Sequence, residues 1–448
     1  MTSATVVGAS VAGLLTARVL SAHVDEVTVL ERERLDDAPR PRGHVPQGRH
    51  LHLLLSAGLG LLEGWFPGIG DELEARGAVR VDGTRAWVFQ SGGYRAQGDW
   101  GRAVLSLTRP LLEQVVRQRV GLLANVALET GVVVDLVRTR EGRVDGTLVD
   151  GVLRPADLVV DCSGRSSRLA HQLEVSGLLA PPVSRVQIDC AYTSGFLPRS
   201  DDDLDGSFLV VGTSPPGSFR AGAVLPVEGE RWMVTLAGVH GDVPGTSDEE
   251  VLGFARSLLS PTVAQLVERA GPLSSVASYR FPSSQRRHYE KLPRLLGGFV
   301  TLGDASCSFN PIYGQGMSCA ALQAEALGAT VGELGVGSDE MPRRFHQRAS
   351  AIIDAPWAIA VGADFLHPET VGPKAPATDL ANRYTQRLVR GTHTSVSLAR
   401  TFNRVVNLVE PPTALARPAV VSRVLLATVS GRRRGPVVHP RVGPTPSP

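Results

Sequence analysis

Two stretches of this chain combine residue types and spacings that can do chemistry. The first is Gly8-Ala9-Ser10-Val11-Ala12-Gly13, which follows the apolar run ATVVG, opens the helix-like segment VAGLLTARVLSA, and is followed by a second apolar run ending in Glu31. A glycine-spaced turn between a strand and a helix, with an acid ending the next strand, is the pattern that binds a dinucleotide. Gly8 permits the tight turn and Gly13 lets the helix pack on the strand. The helix N-terminus faces a pyrophosphate, and Glu31 is placed to accept ribose hydroxyls. Ser10 stands where a third glycine is usual. The same residues come close to the GxSxG of a hydrolase nucleophile, but that motif needs glycine at Ala12.

The second stretch begins at Gly303-Asp304, after the strand-like GGFVTL, and runs through Pro311 to Gly314-Gln315-Gly316-Met317 at the start of another helix. Asp304 at the carboxyl end of a strand can accept hydrogen bonds from a polyol. Gly314 and Gly316 let backbone amides and a helix dipole approach a developing anion. A ribityl chain followed by a reduced isoalloxazine uses both.

The elements that must position these groups are legible as a pattern. Residues 4–8, 11–22 and 25–31 predict a βαβ opening. The Pro-, Gly- and Arg-rich stretch 38–48 is a loop, LHLLLSAGLGLLEGWF after it has helical spacing, and short Gly-broken strands follow from Val79 to Leu107. RPLLEQVVRQRVG reads as a helix, DLVVDC as a buried strand, and residues 183–240 as antiparallel strands. Residues 298–335 return to strand, loop and helix, and 340–428 read as helical with proline breaks. The expected fold class is α/β. It comprises a Rossmann-like nucleotide-binding domain from 1–75, 105–170 and 291–335, which the family resemblance given below implies is FAD-binding, an inserted antiparallel-sheet substrate domain from 76–104 and 171–290, and a helical region 336–430. Residues 431–448, including Arg432-Arg433-Arg434, are expected to be a disordered, solvated tail.

Composition excludes several classes of function. In 448 residues, 46 Lys+Arg against 44 Asp+Glu give a net charge of +2, too balanced for a polyanion binder, so no nucleic-acid partner is expected. With 43% hydrophobic and 20% charged residues, the chain can bury a core without disulfides or metals. Cys162, Cys190, Cys307 and Cys319 form no CxxC pair, and no metal site is expected. The sequence has no apolar run long enough to span a bilayer, and a cytoplasmic location is expected. His50 and His52 in GRHLHLLL are read as packed or cofactor-adjacent rather than as metal ligands. Among Trp65, Phe66, Trp87, Phe89, Trp100, Trp232 and Phe281, one or two are expected to line a substrate pocket.

GASVAG, Glu31, LTRPLLEQVVRQ, ADLVVDCSGRSSRL and LGDASCSFNPIYGQGMSCAALQAEAL together resemble the group A FAD-dependent monooxygenases, with the para-hydroxybenzoate hydroxylase fold, over essentially the whole chain. VPQGRHLHLLLSAG, NPIYGQGM, DAPW at 354–357 and FNRVVNLVEPP are most similar to the polyene epoxidases of polyether antibiotic biosynthesis, of the monensin and lasalocid type. The resemblance implies that Gly8, Ser10 and Gly13 hold the FAD pyrophosphate, Glu31 the adenosine ribose and Arg109 the centre of the cofactor. It assigns Asp304 to the ribityl chain and Gly314, Gln315, Gly316 and Met317 to the flavin pyrimidine edge, with Pro311 beside the reactive face. Ala12 and Arg32 complete the cofactor contacts. The family's middle Asp-Gly motif is Ser163-Gly164 here, and Ala170 falls near its usual arginine.

The implied activity uses NADPH or an external flavin reductase as the source of electrons and O2 as co-substrate. A flavin C4a-hydroperoxide would transfer oxygen to a C=C bond of a hydrophobic polyketide-type substrate, with no catalytic side chain named. A non-redox cyclase with FAD as a structural cofactor, an aromatic hydroxylase and an alkene reductase are the alternatives on the same fold.

Overall fold

The computed structural model describes residues 1–101, 103–215, 217–430 and 437–443. The opening folds as a βαβ unit of β1 (Ser3–Val7), α1 (Val11–Leu20) and β2 (Glu26–Glu31), with Val6 registered against Val29 in parallel. The elements that build and border the site follow in chain order. They are β3 (Trp87–Gln90), α2 (Arg109–Gly121), β4 (Val126–Thr130), β5 (Leu158–Asp161), β6 (Val183–Pro198), β7 (Leu209–Val211), β8 (Arg220–Val227), β9 (Arg231–Gly238), β10 (Ser274–Arg287), β11 (Phe299–Thr301), α3 (Gly316–Leu334), α4 (Met341–Asp364) and α5 (Val396–Val406).

Five strands form a parallel sheet in the order β11-β5-β1-β2-β4. Every residue of β5 is buried, which is why DLVVDC reads as a continuous apolar run without alternation. Helix α1 lies between this sheet and α3, and small residues set the spacing. A Cβ on Gly328 would stand 3.2 Å from the Cβ of Val19. Leu14, Leu15, Val29, Leu112, Val160, Leu302 and Leu327 share the resulting core.

The inserted region makes an eight-stranded sheet, ordered Cys307–Ser308, β10, β6, β9, β8, β7, β3, Gly93–Tyr94. Its pairs are antiparallel except that β7 runs parallel to β3, because these strands come from two separate insertions and no hairpin joins them. One face packs Trp232, Val234, Leu236, Val224 and Phe89 under the helices Asp248–Arg256 and Thr262–Ala270. The other face packs Leu225, with Ala223, Val210 and Val88 partly buried, among Val81, Trp100 and Ala399 of α5.

Three expectations need correction. The helix expected across LHLLLSAGLGLLEGWF spans only Ser56–Trp65. Ahead of it Leu53–Leu54 is extended and pairs with Val104–Ser106, so backbone pairing overrides the helical spacing. Pro356 does not break α4, which runs through it; a buried proline costs one backbone bond that packing offsets. Of the expected disordered tail, 431–436, with the three arginines, and 444–448 lie outside the described residues, but 437–443 is docked. Leu204 N donates to Arg441 O at 3.0 Å, Gly443 N donates to Asp203 Oδ1 at 3.0 Å, and Val442 packs on the sheet's helix-covered face. These bonds, Val442, and His439, whose Nδ1 lies 3.1 Å from Tyr94 OH, hold a segment that has no periodicity of its own. Among the described residues no helix is long and apolar enough to cross a membrane.

Candidate functional site

The glycines of the first motif are fixed by backbone, not by chance composition. Gly8 has φ +103°, and a Cβ there would come 2.8 Å from Cys162 O. A Cβ on Gly13 would stand 1.8 Å from Gly8 O, so the turn closes only without a side chain at that position. The first-turn amides of α1 then have no intrahelical acceptor. Ser10 occupies the cap position but leaves the helix uncapped. Its hydroxyl instead donates to Glu113 Oε1 at 2.7 Å and accepts from Arg109 Nη2 at 2.5 Å.

Glu31 is buried at the end of β2. Its Oε2 accepts from Ala9 N at 2.8 Å and its Oε1 from Glu33 N at 3.0 Å, so the carboxylate ties the second strand to the glycine turn. Arg42 completes the arrangement. Its guanidinium lies 2.5 Å from Glu31, 3.1 Å from Glu33 and 3.3 Å from Glu113, and it donates to Ala9 O at 3.1 Å. Arg109 Nε reaches Glu113 Oε1 at 2.7 Å. Burial disfavours the Glu113 carboxylate, yet Arg109 and Arg42 outweigh it and hold its pKa below the ordinary value. Arg32 is exposed and has no hydrogen bond or ion pair among the described residues, so it stands apart from this group.

The second motif meets the first at Gly303, which has φ +67°; a Cβ there would lie 3.0 Å from the Cβ of Ala12. Asp304 opens to solvent at this junction and makes no hydrogen bond within the described residues. Protein mass on its other sides pushes its carboxyl pKa up, while Arg109 and Arg165 pull it back. Pro311 is exposed, and Ile312 beside it is 37% exposed. Gly314 has φ +67°, and neither Gly314 nor Gly316 has any atom within 4 Å of where a Cβ would stand. Gln315 is buried, donating to Val406 O at 2.9 Å while its Oε1 has no partner, and Met317 is buried behind it.

Around this cleft the sheet contributes groups that sequence reasoning missed or left as packing. Arg165, just past Ser163-Gly164, donates to Ser308 Oγ at 2.9 Å and Ser283 Oγ at 2.8 Å and sits 4.9 Å from the Phe281 ring centroid. Tyr192 on β6 and Tyr279 on β10 stack at 6.2 Å. His50, 5.8 Å from Tyr192, shares a 2.8 Å hydrogen bond between Nδ1 and Ser194 Oγ, and its Nε2 is buried without a partner. Burial, with Arg49 adding to it, lowers its pKa to about 4, so the imidazole is neutral at neutral pH.

Asp364, the last residue of α4, accepts on Oδ1 from Asn310 Nδ2 at 2.9 Å and from Tyr313 OH at 3.3 Å; its Oδ2 is buried with no partner. Burial raises its pKa to about 7 against the pull of those two donors. Only the pairing of Arg109 with Glu113, four residues apart on one helix, left a sequence signal. Arg42 and Asp364 reach the site through tertiary packing. His50 and His52 do not converge as ligands, since His52 Nδ1 bonds to His50 O at 2.9 Å.

A family model described as FAD binding domain matches residues 1–352 of this chain. Protein Rv3254 of Mycobacterium tuberculosis is 34% identical over 337 residues, covering 72% of this chain and 71% of that protein. Among solved structures the fold is shared with PqsL, a probable FAD-dependent monooxygenase from Pseudomonas aeruginosa, at TM-score 0.63 and 16% identity over 82% of this chain and 97% of that one. It is shared with 2-methyl-3-hydroxypyridine-5-carboxylic acid oxygenase at TM-score 0.62 and 17% identity, over 92% and 98% of the two chains. The flavin-dependent brominase Bmp2 aligns at TM-score 0.62 and 13% identity, over 96% and 98%.

Proposed function

This chain belongs to the FAD binding domain family, and from that premise we propose that it is an FAD-dependent monooxygenase that epoxidises a C=C bond of a hydrophobic polyketide-type substrate. The observation that carries the reading is the meeting of two distant glycine motifs at Ala12 and Gly303 beside an open, unpartnered Asp304. The residues present suit the cofactor. Gly314 and Gly316 face bare space, Asp304 offers a carboxylate with no internal donor, and Gln315 Oε1 is a buried acceptor left over. Buried or cleft-facing polar atoms without partners are costly unless something else satisfies them.

In this reading the first-turn amides of α1, with Gly8, Ser10, Ala12 and Gly13, take the pyrophosphate. Glu31 takes the adenosine ribose, and Arg109 the centre of the cofactor. Arg42 and Glu113 hold these two side chains in place. Asp304 accepts from the ribityl hydroxyls, and Pro311 and Gly314 to Met317 border the ring system. Arg32, exposed and unpaired, has at most a peripheral contact. The same proposal divides the chain into a discontinuous cofactor domain, a substrate sheet and a helical C-terminal region.

When bound and reduced, by NADPH or through a flavin reductase, FAD would supply the activation of O2. The chain itself must orient the alkene and keep water out. The stacked Tyr192 and Tyr279 and the neutral His50 offer a wall that carries no charge at neutral pH. Asp364 favours one second reading, a non-redox cyclase with FAD as a structural cofactor, because a buried carboxyl with a free Oδ2 suits acid catalysis.

One experiment separates the two. The purified protein is reduced anaerobically with NADPH or a flavin reductase, then mixed with isotopically labelled O2 and a candidate polyene. The monooxygenase reading expects labelled oxygen in an epoxide. Conversion at full rate with oxidised FAD, no reductant and no label would replace it with the cyclase.

A further inference from the structure

The inner face of the eight-stranded sheet carries a row of residues that run straight across the strands. Ser194 on β6 is registered with Thr235 on β9, Thr235 with Ala223 on β8, Ala223 with Val210 on β7, and Val210 with Val88 on β3. Arg95 N then donates to Val88 O at 2.9 Å, placing Arg95 beside Val88 at the end of the row. At about 4.8 Å per strand, the five steps from Ser194 to Arg95 span roughly 20 to 24 Å.

The intervening residues are small or apolar. Their sequence neighbours Val234, Val224, Leu209 and Phe89 point to the opposite face, into the helix-covered core. Leu51, Leu53 and Val396 cover the inner face from above, yet Thr235, Ala223, Val210 and Val88 all remain half-buried. A closely packed covered face would bury them. Part of this face therefore stays accessible in a line along four consecutive strands.

Each end of this row has a distinct chemistry. At the Ser194 end stand His50, Tyr192 and Tyr279, beside the cleft described above. At the other end the Arg95 guanidinium lies 5.0 Å from the Trp100 ring centroid and 5.1 Å from that of Phe402. Among the described residues it has no hydrogen bond and no carboxylate within ion-pair distance. Enclosure lowers its pKa to about 10, so it remains a cation at neutral pH. The guanidinium is half-buried, with two rings as partners and no counter-ion, so its exposed edge offers an unneutralised charge to a carboxylate.

We propose that Arg95 anchors the terminal carboxylate of an elongated apolar acid, whose chain lies along Thr235, Ala223, Val210 and Val88 and whose far end reaches the cleft at His50 and Tyr192. A guanidinium flanked by two aromatic rings matches a monoanion, and its fork matches a carboxylate. The inference rests on the monooxygenase reading only for what happens at the far end. It names the substrate class and the residue that selects it.

Equilibrium dialysis of the FAD-loaded protein against oleate and methyl oleate, both kept below micelle-forming concentrations, tests the anchor. Oleate is expected to bind at least tenfold more tightly than its ester, the scale of a charge-assisted hydrogen bond. Arg95→Met should remove that preference while leaving the ester's affinity within about twofold, and Arg95→Lys should restore part of it. The flavin spectrum and melting temperature report whether each variant is folded. Equal binding of acid and ester by the wild type, binding of neither, or a preference that survives Arg95→Met overturns the proposal. Dialysis needs neither reductant nor oxygen. Selective binding without oxygen transfer therefore counts against the monooxygenase reading and not against Arg95, and labelled product with no acid preference does the reverse.

Discussion

Ala12 and Gly303 are the point at which the two halves of the cleft touch: a Cβ built on Gly303 would stand 3.0 Å from the Cβ of Ala12, at a backbone φ of +67°. Two separate penalties therefore meet at Gly303→Ala. The left-handed backbone costs about 1–2 kcal/mol for a residue with a Cβ, and the methyl contact adds a steric cost. Urea unfolding of the apo protein should show the combined loss. In Ala12→Gly/Gly303→Ala only the backbone part should remain, giving a positive coupling between the two sites. Strict additivity of the two substitutions would mean that the motifs do not bear on each other.

Asp304 is open to the cleft without an internal donor, so removing it leaves no orphaned partner in the protein. Asp304→Ala should leave the apo melting temperature unchanged, since the exposed carboxylate makes no hydrogen bond that the substitution would break. FAD affinity should fall by about tenfold to a hundredfold, the value of a charge-assisted hydrogen bond of roughly 1.5–3 kcal/mol. Fluorescence titration with FAD measures it. An unchanged affinity removes the ribityl assignment.

How much of this was written in the sequence depends on the distance over which each feature is fixed. The βαβ opening is local: Gly8, Gly13 and Glu31 lie within one supersecondary unit, and the turn that closes on Gly8 O tolerates nothing larger than glycine at position 13. Arg42 carries no such signal, because its three carboxylate partners come from the end of β2, the loop after it and the middle of α2. Asp364 reads as one more residue of a long helix until the fold sets it against Asn310 and Tyr313. Arg95 is an arginine among many until strand register puts it at the end of a row. Helical spacing misled at residues 51–54, where pairing of Leu53 and Leu54 with Ser106 and Leu105 decides the backbone.

Asp364 should make stability depend on pH in an identifiable window. Its pKa is raised from 3.8 to about 7 by burial, so the folded state holds a proton that the unfolded chain releases above about pH 4. The stabilisation is complete below the unfolded value and is lost as pH rises through about 7. Between pH 5 and 8 the wild type should lose on the order of 2–3 kcal/mol that Asp364→Asn does not. Asparagine keeps an oxygen for Asn310 and Tyr313. Urea unfolding of both proteins across that range is the measurement, and parallel profiles would show that Asp364 titrates normally.

Gly316 and Gly314 both face bare space, but only Gly314 has a left-handed backbone, and this difference separates what a substitution does to the protein from what it does to a ligand. Gly316 is the first residue of α3 and has no positive φ, so Gly316→Ala meets no atom of the protein and gains helix propensity. Apo stability should be unchanged or raised by up to about 1 kcal/mol. Gly314→Ala should lose about 1 kcal/mol or more, because φ +67° is strained for alanine whatever the space around it. If the space in front of Gly316 belongs to the flavin edge, the added methyl of Gly316→Ala intrudes on the ligand alone, and FAD affinity should drop at least tenfold while the apo protein is no less stable. Differential scanning of the apo variants and FAD titration of the same samples give both numbers. Undiminished FAD affinity in Gly316→Ala would falsify the placement of the ring system at this helix terminus, and a fall in apo stability would show that the glycine serves the fold instead.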